Sequence, residues 1–385
     1  MRRALSALTH ETVLSQAISG VFAIVQLGIL TRLLDVSDYA IYVVAAAIWA
    51  IANAAVGVGI GIRISNDAAN GSTSIAFTVS ERYRTLLAVL ICGVSFAILS
   101  GTPVECILVG VTLLSYVACE SAIAFVVGSR QFRKFLYVFT VRSGAPVIVM
   151  VLWAFLGDLS FTGAVIALMI GQFSAAMMLW RHFSVQKPSV ASLSSGLTGS
   201  ISLGMWVLAS ADKIILEQLV NPEELASYAM AYGLLDRVFR AIQNIYTSRN
   251  MADAFSGKLG KSSHWLSLGI LALALVMSPV AVVACGIISG GRYQPDLLLA
   301  LVISLGLAIM TLSAPPYLKM MSTKKYAGPI IVIYGIASGN ILGNILLAPK
   351  FGVLGAGLLT LAAYLTWLGY LYSYSVRFAT KVSVP

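Results

Sequence analysis

The sequence predicts an all-α polytopic membrane protein of about twelve transmembrane helices in two six-helix bundles. Three observations carry that prediction. Of the 385 residues, 59% are hydrophobic and 10% charged, and the mean hydropathy is +0.90, far more apolar than a soluble globular chain. The apolar residues fall in runs of about 20, the length a helix needs to cross the hydrocarbon layer. Lys and Arg gather in alternate gaps between those runs, as cytoplasmic loops do.

The runs of the first half read 12–34, 39–62, 83–100, 104–128, 135–157 and 161–180. Those of the second half read 197–220, 225–248, 265–289, 296–318, 327–348 and 353–374. Spans 3 and 4 are parted only by Gly101, Thr102 and Pro103, so charge has to test the count. Of the 25 basic residues, only Arg292 and Lys350 fall in gaps on the outer side, while Arg32, Arg142, Lys213, Arg237 and Arg240 lie within or at the edge of spans. The others, Arg63 among them, occupy the inner gaps and both termini. This asymmetry predicts an even number of spans with the N and C termini cytoplasmic. The net charge of +10 is thereby a matter of topology, and scattered loop cations do not form a nucleic-acid-binding face.

The opening MRRALSALTHETV has no small-residue cleavage site behind a short apolar core, so the first helix reads as a retained anchor. Cys92, Cys106, Cys119 and Cys285 fall inside spans without metal-like spacing and read as packing residues. His10, His182 and His264 form no cluster, no phosphate-binding loop occurs, and the outer loops are short. The expectation is a protein with no metal, no cofactor and no enzymatic machinery.

Set against itself at an offset of 186, the chain aligns LTRLLDVSDYAIYVVA (30–45) with LEQLVNPEELASYAMA (216–231). Leu30, Leu33, Ala40, Tyr42 and Ala45 meet Leu216, Leu219, Ala226, Tyr228 and Ala231, and acidic outer turns coincide, Asp38 with Glu224. The offset carries span 1 onto span 7 in the same direction, so the repeats are parallel. The predicted domains are 1–180 and 197–385, joined by a polar, serine-rich linker over 181–196 that Pro188 interrupts. Two bundles so joined can rock about a midplane site, the usual alternating-access solution.

The candidate site rests on polar residues inside spans. Three charges in span 8, Asp236, Arg237 and Arg240, cost roughly 2.5 to 3.5 kcal/mol each on insertion scales unless met by partners, water or ligand. With Tyr232, Gln243, Asn244 and Thr247 they share an arc of roughly 140°. Asp236 and Arg240 stand at i and i+4 and can neutralise one another. In span 7, Lys213 shares a face with Glu217 and can pair with it, while Asp212 points about 100° away toward a neighbouring helix. Arg142 in span 5 has no carboxylate at i±3 or i±4; Glu120 in span 4 can supply one, a role for Glu120 on the cytoplasmic side being the alternative. A set of internal salt bridges without a ligand and a charged transport pathway both fit these residues. Pro146, Pro279 and Pro315-Pro316 interrupt spans 5, 9 and 10, and the run Gly57, Gly59, Gly61 reads as close helix packing.

The segments TRLLDVSDYAIYVVAAAIWAIANAAVGVGIGIRIS and SADKIILEQLVNPEELASYAMAYGLLDRVF resemble the opening hairpins of the two halves of bacterial oligosaccharide-lipid flippases. Those belong to the multidrug/oligosaccharidyl-lipid/polysaccharide (MOP) exporter superfamily. The resemblance implies a V-shaped alternating-access pair of bundles that carries a polyprenyl-pyrophosphate-linked oligosaccharide across the membrane for polysaccharide or O-antigen biosynthesis. It implies a pyrophosphate-binding role for Lys213, Arg237 and Arg240; Arg142 joins them by charge and depth alone, with Tyr232 and Gln243 as further substrate contacts. Glu120, Asp212 and Asp236 then balance charge or bind a coupling ion. The implied partners are the lipid-linked substrate, membrane lipids and other polysaccharide-assembly membrane proteins. The rival functions are a cation-coupled multidrug antiporter of the same superfamily and a membrane-embedded glycan polymerase, which lacks the outer loop it would need.

Overall fold

The computed structural model describes residues 2–99, 102–184, 193–255, 264–323 and 325–379. Among them the chain is almost wholly helical. The first nine spans appear as α1 (Arg2–Leu33), α2 (Val36–Ala69), α3 (Val79–Leu99), α4 (Pro103–Gly128), α5 (Phe132–Leu156), α6 (Phe161–Met177), α7 (Leu193–Glu217), α8 (Pro222–Phe255) and α9 (His264–Ser289). The tenth is broken into α10 (Leu297–Leu312) and α11 (Ala314–Ser322), parted at Ser313 just before the proline pair. The eleventh and twelfth run together as α12 (Ala327–Ala379), interrupted at Gly352, whose φ of 55° and ψ of −148° no helix contains. A positive φ there favours glycine, and the chain turns between two helices at that point.

Eight stretches among the described residues are long and apolar enough to cross a membrane. α6 is apolar but shorter, at 17 residues. The chain is a multi-pass membrane protein. The boundary between spans 3 and 4 is settled by local chemistry: Thr102 accepts a hydrogen bond from the Glu105 amide at 3.4 Å, Glu105 accepts from the Thr102 amide at 2.9 Å, and Pro103 opens the helix. That reciprocal cap starts a new helix.

The chain divides into two compact units, Met1–Trp206 and Val207–Pro385. In the first, α4 is central, packing on α2, α3 and α6, while α5 packs on α1 and α6. Gly61 lies against Ala124, and a Cβ on Gly128 would overlap the backbone of Ser65, so α2 and α4 approach through small residues. In the second unit α10 takes the central place, packing on α8, α9 and α12. The two 34-residue helices α2 and α8 begin at repeat-equivalent positions, Val36 and Pro222. The acidic first turns of α2 and α8 each face a later element of their own unit. Asp38 accepts from the Phe161 amide at the start of α6 at 3.0 Å, and Glu224 stands beside Gly352 ahead of the last helix.

One expectation is corrected here. Arg63 is not a loop cation: α2 continues past it to Ala69, and the guanidinium is buried, at 4% exposure. It makes two bonds of 2.7 Å to Glu81, one of 2.9 Å to Asp67 and one of 2.6 Å to the Ala76 carbonyl. Two carboxylates and a carbonyl replace the water it gave up. Beside it lies a feature the sequence did not announce, a two-residue parallel ladder pairing Ile75 with Phe183 and Ala76 with Ser184.

Candidate functional site

In the first unit, Arg142 on α5 and Glu120 on α4 form an ion pair of 2.8 Å with both side chains partly exposed. The guanidinium also lies 5.8 Å from the centre of the Phe139 ring. The backbone explains how it is held. Pro146, one turn on, has no N–H to give the Arg142 carbonyl, and Gly171 of α6 fits against the proline ring and that carbonyl, where a Cβ would collide. Glu120 thus supplies the partner that Arg142 lacks in its own helix.

The second unit holds the denser cluster. Asp212 on α7 is fully buried. One of its oxygens accepts the Tyr228 hydroxyl of α8; the other faces the Lys213 ammonium at 3.2 Å. Lys213 donates as well to the Ala209 carbonyl at 2.9 Å, and its Nζ sits 3.7 Å from the centre of the Tyr232 ring. Tyr232 in turn shares a 3.1 Å hydrogen bond with Tyr364 of α12. Tyr228, Tyr232, Thr360 and Tyr364 line one crevice, too narrow to hold a water molecule. One turn further along α8, Arg240 grips Asp236 with two bonds, 2.9 Å from Nε and 2.8 Å from Nη2.

The predicted pairing of Lys213 with Glu217 is not made. Lys213 folds back to the adjacent Asp212, and Glu217 instead accepts from Gln218 at 2.5 Å. The direction read for Asp212, toward a neighbouring helix, is met by Tyr228, and the Asp236–Arg240 pair forms as its spacing implies. Arg237 and Gln243 are half-buried on α8. Leu234, Leu235 and Phe239 on the other side of α8 are buried in protein, and Thr311 of α10 reaches the Phe239 carbonyl at 3.3 Å. Sequence reasoning passed over Tyr228 and Tyr364 as site members. For Tyr228 the signal existed, since it is the tyrosine matched across the repeat. Among the described residues no three His, Cys, Asp or Glu side chains converge as a metal site would require.

No protein-family model and no curated protein matches this sequence. Solved structures do match in fold. An inward-facing multidrug resistance MATE family transporter of the MOP superfamily superposes with a TM-score of 0.57 at 14% identity, over 97% of this chain and 100% of that one. An outward-facing MATE transporter gives 0.56 at 13% identity, over 99% and 97%. A MOP superfamily transporter from Pyrococcus furiosus, described as having a binding pocket of reverse polarity that suggests a different function, gives 0.56 at 12% identity, over 99% and 96%. At such identities the likeness is one of fold, all-helical and extending over nearly the whole of each chain.

Proposed function

We propose that this chain is an alternating-access transporter that moves an amphipathic solute across the bacterial cytoplasmic membrane, with both termini on the cytoplasmic side. One observation carries the reading: ionised pairs stand inside helices apolar enough to cross a membrane, Glu120 with Arg142 on α4 and α5 and Asp212 with Lys213 on α7, and a further pair stands on the more polar α8 that follows. Glu120, Asp212 and Asp236 face Arg142, Lys213 and Arg240, with Arg237 as a further cation on the same helix as Asp236. Intramembrane charges of this kind mark pathways, because holding them in an apolar span costs free energy that a purely structural helix need not spend. An ion pair that can exchange one partner for a solute is suited to a carrier.

Two finer readings share this machinery, and different observations favour them. The fold relatives, multidrug transporters among them, support cation-coupled multidrug antiport better, with Asp212 as the carboxylate that exchanges partners. The chemistry of the cations favours an anionic cargo, since guanidinium and ammonium groups are good partners for phosphate oxygens. On that reading Arg142, Lys213, Arg237 and Arg240, aided by Tyr232 and Gln243, bind the pyrophosphate of a polyprenyl-linked oligosaccharide through charge-assisted bonds. Its lipid tail stays in the bilayer.

Proteoliposomes separate the two. Antiport predicts that an imposed proton or sodium gradient drives a cationic dye such as ethidium and leaves a fluorescent polyprenyl-pyrophosphate glycan in its original leaflet. Flipping predicts the reverse. Movement of neither overturns the transport reading.

A further inference from the structure

Lys213 is held as a bound cation is held. Its ammonium meets the Asp212 carboxylate at 3.2 Å, the Ala209 carbonyl at 2.9 Å, and the Tyr232 face at 3.7 Å from the ring centre. Carboxylate, carbonyl and aromatic face are the ligands a small monovalent cation takes in a dry pocket. The lysine comes from the residue next to Asp212, so its four-carbon stem has to double back to deliver the charge. It does so instead of extending toward Glu217 on its own face. The repeat gives an independent indication: where the first half has neutral Gln26 in the place of Asp212, it has Leu27 in the place of Lys213. The ammonium is present where the carboxylate is present.

We propose that Lys213 is a tethered cation filling a monovalent-cation site built from Asp212, the Ala209 carbonyl and Tyr232. The native chain therefore takes up no free sodium or potassium at this place, and a chain without the lysine amine does. The physical reason is asymmetric: a buried carboxylate that loses its paired cation is strongly destabilising, whereas a metal ion of the same charge restores the balance. This deepens the transport reading by naming what occupies the site between cargoes. Its test is a binding measurement, so it stands or falls separately from any transport assay.

The experiment is thermal unfolding of the purified full chain at equal ionic strength in sodium, potassium or choline chloride. Native protein is expected to melt at the same temperature in all three. Lys213→Ala is expected to melt several degrees lower in choline and to recover in sodium or potassium, and the recovery should vanish in Asp212→Asn/Lys213→Ala. Lys213→Met keeps the stem's volume and gives the same comparison if the alanine variant does not fold. Sodium or potassium stabilising the native chain over choline would overturn the proposal, and that arm is read whether or not a variant folds. So would folded Lys213 variants indifferent to all three salts.

Discussion

Gln26 and Tyr42 in the first half stand at the repeat positions of Asp212 and Tyr228 in the second, and both pairs are hydrogen-bonded. In the first half the Gln26 amide donates to the Tyr42 hydroxyl at 3.2 Å; in the second the Tyr228 hydroxyl donates to the Asp212 carboxylate. The same bond joins the first two helices of each half, so the contact belongs to the architecture. The charge does not. Lys213, Tyr232, Asp236, Arg237 and Arg240 replace Leu27, Ala46, Ala50, Ile51 and Ala54 at the same offset. The first half keeps its own buried cation elsewhere, at Arg63 toward the C-terminal end of α2, tied to Glu81 and Asp67. The shared helical hairpin thus keeps a tyrosine hydrogen-bonded across its two helices, and the Asp212–Lys213 and Asp236–Arg240 pairs are specific to the second half.

The comparison breaks most visibly at Asp212. Replacing it with Ala leaves the Lys213 ammonium without its carboxylate and should cost about 3 to 5 kcal/mol, whereas Gln26→Ala should cost about 1 kcal/mol. Denaturation midpoints of the two purified variants read the difference; equal losses would mean that the charge contributes nothing beyond the shared bond. Arg63→Ala strands Glu81 in a buried place and should lower stability by about 3 kcal/mol. Its effect should appear as loss of amide protection over Ile75–Ala76, measured by hydrogen exchange. A finer probe keeps Asp212 and Gln26 and removes only the tyrosine hydroxyl facing each. Tyr228→Phe deletes a bond to a charged group and should cost about 1.5 to 3 kcal/mol, against about 0.5 to 1.5 kcal/mol for Tyr42→Phe. The smallest effect is expected from Asp236 and Arg240, which remain partly exposed. A double-mutant cycle to Ala should give a coupling of about 1 kcal/mol.

The helices were legible because crossing hydrocarbon demands a fixed apolar length: every expected span falls on a helix, though α1 begins well before its expected start and α2 and α8 run well past their expected ends. α2 was read too short for a definite reason. A run of apolar residues ending at Arg63 looks like a helix leaving the membrane, and nothing in the local sequence shows that Glu81, 18 residues on, will pair with it. Pairs at helical spacing were legible, as Asp236 and Arg240 show. So was Arg142's need of an acid from another helix, because an ionised group inside a span requires a partner. The Lys213 contact was not. A helical projection puts adjacent side chains about 100° apart, but a lysine stem is long enough to fold back across that angle. The break at Gly352 lay between two expected spans, and the glycine there takes the one backbone conformation that separates them.

The most direct test of the account rewrites the second half in the terms of the first. Asp212→Gln with Lys213→Leu installs the Gln26–Leu27 pair at the equivalent place, keeps an acceptor for Tyr228 and removes both charges of the pair together. The measurement is cargo movement in proteoliposomes, by whichever substrate the native chain carries, with folding checked by the melting temperature. A chain that melts within a few degrees of the native protein and moves no cargo is the predicted result; transport at the native rate would contradict the claim that the charged cluster of the second half performs the function.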